Sequence, residues 1–73
     1  MIKKKITEDQ YLEELNRRLR MDEMYEKGME FVPHPPGATG SEISGYSVIG
    51  PTSKIGEYAR ISYQVSKEFV IQL

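Results

Sequence analysis

The sequence predicts an α+β fold: one N-terminal amphipathic helix packed on a small antiparallel sheet of two to four strands. Three observations lead there. Residues 1–30 hold 15 of the 21 charged side chains and three β-branched residues, whereas residues 31–73 hold six charges, eleven β-branched residues and five of the seven aromatics. Charged and straight-chain residues lose little rotamer freedom in a helix, while β-branched and aromatic residues suit a half-buried pleated surface. Thr7 then carries a helix-start signature, and residues 58–65 alternate in the period of a strand.

Taken in chain order, Ile2-Lys3-Lys4-Lys5-Ile6 fits an edge strand whose lysines discourage further pairing. Thr7 and Gln10 have capping-box spacing, and Ile6 with Tyr11 has that of a hydrophobic staple. Glu8 and Asp9 fall in the first turn, where negative charge complements the helix dipole. The helix is expected over about residues 7–27, with Tyr11, Leu12, Leu15 and Leu19 as its apolar stripe. Glu13–Arg17, Glu14–Arg18 and Glu23–Lys27 are spaced as i,i+4 ion pairs. Past Leu19 the stripe fails, since Asp22, Glu23 and Glu26 occupy its continuation, so either the helix kinks or breaks near Arg20–Asp22 or its last turns pack against something different from the first. Gly28 reads as the C-terminal stop.

Residues 29–42 hold Pro33, Pro35, Pro36, Gly37 and Gly40 and read as a connector without regular structure. The β-rich part is expected over 43–73. Ile43 to Ile49 makes a strand interrupted by Gly45, and Gly50-Pro51-Thr52-Ser53-Lys54 a hairpin turn. In the next strand Ala59, Ile61, Tyr63 and Val65 form the buried face, leaving Tyr58 on the open one. Phe69 to Leu73 reads as a further strand, with a short helix capped by Ser66 as the competing form.

The composition narrows the function. With no cysteine there is no disulfide or thiolate metal site, and one histidine makes no transition-metal site alone. No cofactor, metal or small-molecule substrate is expected. No apolar run reaches the ~18 residues that cross a bilayer. Met-Ile-Lys-Lys-Lys precedes Ile-Thr-Glu-Asp-Gln rather than an apolar run, so no export signal is expected and the cytoplasm is the expected compartment. A net charge of −1 lacks the positive field of a nucleic-acid binder. The basic groups Lys3–Lys5 and Arg17, Arg18, Arg20 are separated by Glu8, Asp9, Glu13 and Glu14, so nucleic-acid binding is the weaker alternative.

A residue set for catalysis is missing. His34 is flanked by Glu30, Thr39, Ser41 and Glu42, but nothing in their spacing fixes a base, an orienting acid and a nucleophile. An enzyme subunit using His34 is therefore the least favoured reading. Gly37-Ala38-Thr39-Gly40-Ser41 lacks the lysine of a phosphate-binding loop. Pro33-His34-Pro35-Pro36 reads as a linker rather than a polyproline ligand.

The residues left for binding are Met21, Met24, Tyr25 and Met29, an adaptable apolar set beyond the leucine stripe. The competing account is that this second stripe covers the chain's own sheet. Tyr46 and Tyr58 are the strand tyrosines expected to be exposed, and exposed tyrosines suit protein interfaces. So short a chain buries only about 60% of the surface its unfolded form exposes, and without disulfides or metal, association is the stabilising device left. The expected function is that of a small interaction or regulatory protein of bacterial or phage type. It would act by binding another macromolecule or as a homodimer, without catalysis.

Overall fold

The computed structural model describes residues 3–71. The chain is α+β, with helices α1 (Glu8–Met21) and α2 (Ile55–Glu68) and strands β1 (Lys4–Ile6), β2 (Glu30–His34), β3 (Gly45–Ile49) and β4 (Phe69–Ile71). The strands form two separate pairs, β2 with β3 antiparallel and β1 with β4 parallel. The expected strand at residues 2–6 is present from Lys4, and the one at 69–73 as far as Ile71; Ile2, Gln72 and Leu73 lie outside the described residues.

Helix α1 begins where its capping signature places it. Thr7 Oγ1 accepts the Gln10 N–H at 3.1 Å, and Gln10 Oε1 accepts the Thr7 N–H at 2.9 Å. The helix ends earlier than residue 27. Asp22 takes an extended conformation, and its carboxylate accepts the Met24 N–H at 2.8 Å, a local turn that competes with another helical turn. The failure of the stripe after Leu19 is thus the end of the helix. Gly28 is instead the positive-φ residue of a turn closed by Met29 N–H to Glu26 O, 3.1 Å, which folds the chain back into β2.

The region 58–65 is a helix and not a strand. Tyr58, Ile61 and Val65 are its buried residues, and their 3,4 spacing is a helical face. Positions 61 and 65 satisfy both the two-residue and the helical period, which is why the alternation misled. Tyr63, expected inside, is 63% exposed with the Lys67 ammonium 5.0 Å from its ring centroid. Gly50–Lys54 therefore leads from β3 into α2, and the hairpin is β2–β3 instead.

Strand β2 occupies part of the expected connector. Proline lacks a ladder donor, yet Pro33 is accommodated because its missing N–H falls on the edge away from β3. That edge meets α1. Asn16 Nδ2 donates to the Phe31 carbonyl at 3.0 Å, and the Phe31 N–H donates to Asn16 Oδ1 at 2.8 Å.

The Cα trace spans 33 × 31 × 15 Å, so the core is a thin layer. Leu15 and Leu19 of α1 meet Ile61, Val65 and Tyr58 of α2, with Phe31 and Met29 joining the cluster. Truncating a buried leucine such as Leu15 to alanine costs about 2–5 kcal/mol, a large share of the stability of so small a domain. Arg18 ties the helices together at their polar margin, forking onto Glu68 with both contacts at 2.7 Å and onto Glu14 at 2.9 Å. Of the expected i,i+4 pairs Glu14–Arg18 forms. Arg17 turns to Glu14 instead of Glu13, and Glu23–Lys27 lies beyond the helix.

Candidate functional site

The six residues singled out for binding separate into surface and core. Met21, on the last turn of α1, is 72% exposed, and Met24, in the turn that follows, is 44% exposed. Tyr25 is half-buried against the core cluster. Met29 is 4% exposed and belongs to the core, its sulfur 3.1 Å from the Glu26 N–H. Tyr58 is likewise a core residue, contrary to the exposure expected of it. Its ring meets Phe31 edge-on at 5.7 Å and its hydroxyl donates to the Ile49 carbonyl at 2.9 Å. Met29 is removed from the surface by the Gly28 turn, and Tyr58 by the helical period of α2.

Tyr46 is half-buried. Its ring stacks on Tyr11 at 5.5 Å, with 19° between the planes, and its hydroxyl donates to the Glu8 carbonyl at 3.0 Å. Burial first, and the Glu8 charge second, push its phenol up to about 12. It is held as a packing residue with one edge in an apolar groove shared with Phe69 and Val70.

Met21 and Met24 flank a shallow, open concavity of about 510 Å³, lined also by Asp22, Glu23, Glu57 and Arg60. The floor is fixed by electrostatics. Arg60 of α2 pairs with Asp22 and, at 3.0 Å, with Glu57. The Met24 N–H, and then the Arg60 guanidinium, hold the Asp22 carboxyl below its usual range. The lining holds three carboxylates and one guanidinium beside the two thioethers, with the Lys54 charge also acting on Asp22 and the Arg17 guanidinium 3.5 Å from the Met21 sulfur. Such a surface suits an apolar side chain flanked by cations, because thioethers adapt to varied shapes and rim charges select the partner.

His34 is exposed at the end of β2. Its carbonyl accepts the Ser44 N–H at 2.8 Å and the Ser44 hydroxyl at 3.1 Å, but among the described residues no side chain hydrogen-bonds its imidazole. Among the described residues Glu30, Thr39, Ser41 and Glu42 form no hydrogen bond or ion pair with the ring. Of the basic residues noted in the sequence, Arg17 pairs with Glu14, and Arg18 pairs with Glu14 and Glu68.

Asn16 and Arg60 were not legible as important from the sequence. Each is a polar residue within a helix, where periodicity carries no signal, and each acts on a segment distant in the chain.

Comparison with protein-family models, with curated proteins and with solved structures returns no match. Among the described residues no helix is long and apolar enough to cross a membrane.

Proposed function

We propose that this chain is a small interaction or regulatory protein, acting in the cytoplasm by binding another macromolecule or by self-association, and not by catalysis. One observation carries the reading. The core is filled by Leu15, Leu19, Met29, Phe31, Tyr58, Ile61 and Val65, while Met21 and Met24 stay outside it beside a concavity lined by three carboxylates and one guanidinium. Two exposed thioethers, one at the end of α1 and one in the turn that follows, add nothing to the core but offer apolar area to a partner. The partner surface that fits is a protein segment presenting an apolar side chain beside lysine or arginine.

Capture from host extract on immobilised wild-type protein and on Met24→Glu tests this, with nuclease treatment as a parallel arm. Expected is a protein retained by the wild type and lost by Met24→Glu, with unchanged far-ultraviolet circular dichroism. A carboxylate placed in an apolar contact without a partner is costly. Equal retention by both proteins would refute the assignment, as would retention abolished by nuclease.

A further inference from the structure

The two edges of the β2–β3 hairpin are treated differently. On β2 the edge is closed, because Asn16 takes both the N–H and the C=O of Phe31. In an antiparallel ladder a residue's N–H and C=O point the same way, and successive residues point opposite ways. The Asn16 contacts therefore fix the parity of the hairpin, with Phe31 and Pro33 turned away from β3. Their register partners Val48 and Tyr46 must in turn direct their backbone groups to the far edge of β3. Among the described residues no strand pairs with that edge.

Gly45–Ile49 carries no charge and no proline, the usual protections of an open edge. Val48 and Ile49 are 41% and 54% exposed on it. The contrast with β1, which has lysines at positions 4 and 5, is plain.

We propose that β3 pairs with β3 of a second copy of this chain, antiparallel about a two-fold axis at Ser47, giving a continuous sheet β2–β3–β3–β2. Parity requires outward-pointing residues to face one another, and among the registers that do so a two-fold at Ser47 is the one that overlaps the whole of Gly45–Ile49. It pairs Tyr46 with Val48 of the second copy, and the reverse, so that the outward groups of both residues bond to one another. It also matches the side chains. Val48 and Tyr46 form an aromatic–β-branched cross-strand pair, a favourable combination. Ile49 falls opposite Gly45, where an added Cβ would meet nothing within 4 Å, so there is room for it. An uncharged strand meets its own copy without like-charge repulsion, and a second copy is thus favoured over a charged peptide. This deepens the self-association arm of the proposed function, and it uses neither Met21 nor Met24, so the two fail separately.

The chain has no cysteine, which makes a single engineered thiol diagnostic. Ser47 would face its own copy in a non-hydrogen-bonded pair, with Cα atoms about 4.5 Å apart, within disulfide range. Ser47→Cys should oxidise to a covalent dimer at least tenfold faster than Tyr63→Cys, an exposed control on α2. In sedimentation equilibrium the wild type should dimerise, Val48→Lys should weaken the dimer tenfold or more, and Met24→Glu should leave it intact. Equal oxidation rates for the two cysteine variants would overturn the proposal. So would a wild type that stays monomeric at the highest concentration reached, or a dimer lost in Met24→Glu.

Discussion

The side chain of Asn16 and the backbone of Phe31 exchange two hydrogen bonds, of 3.0 and 2.8 Å, and through them α1 covers the edge of β2. One amide does what a neighbouring strand would do. Both partner groups are partly buried, so their loss is not fully repaid by water.

Asn16→Ala should accordingly destabilise by about 2–4 kcal/mol, from two lost bonds and two stranded backbone groups. Asn16→Asp retains the acceptor for the Phe31 N–H but removes the donor to its carbonyl, and should fall between. Urea unfolding of the three proteins measures this. An Asn16→Ala midpoint equal to that of the wild type would show that the edge is satisfied without the amide.

Tyr46 links stability to alkaline pH. Its folded pKa, pushed up to about 12 by burial and the Glu8 charge, lies above the ordinary value of 10.0. Between these values the unfolded chain releases the proton first, so the contribution is full below pH 10.0 and is lost as pH rises towards 12. Tyr46→Phe should cost about 1 kcal/mol at neutral pH, through its bond to Glu8. It should also fall less steeply than the wild type above pH 10.0. Melts across that range decide it, and parallel curves would show that Tyr46 does not contribute to the alkaline loss.

Gly50 is confined by its surroundings. Its φ is +136°, and an added Cβ would meet the Tyr58 hydroxyl and, at 3.2 Å, the Met29 backbone. Gly50→Ala should destabilise by more than about 1 kcal/mol and disturb the Tyr58 bond to Ile49. Thermal unfolding with tyrosine fluorescence measures both. A variant as stable as the wild type would mean that the β3–α2 junction relaxes freely.

The sequence made some elements legible and hid others for identifiable reasons. The α1 start was readable because Thr7, Gln10 and Glu8 act within one turn. The α+β class was readable because composition shifts along the chain. Helix α2 was hidden because Ile61 and Val65, four apart, fit either period, and Tyr58 alone distinguished them. Strand β2 was hidden by Pro33, whose tolerance depends on the parity that Asn16 sets from α1. Within the candidate site, the exposure of Met21 and Met24 followed from the failing leucine stripe. The burial of Met29 depended on a turn at Gly28 that redirects the chain, a tertiary event that residue spacing does not record.

Oxidative footprinting of the methionines tests most directly whether Met21 and Met24 are the partner surface while Met29 is core. In the isolated protein Met21 and Met24 should convert rapidly to sulfoxide and Met29, 4% exposed, slowly. Added host extract should slow Met21 and Met24 several-fold and leave Met29 unchanged. Unchanged oxidation of Met24 in the extract would contradict the assigned surface, and rapid oxidation of Met29 in the isolated protein would contradict the core beneath it.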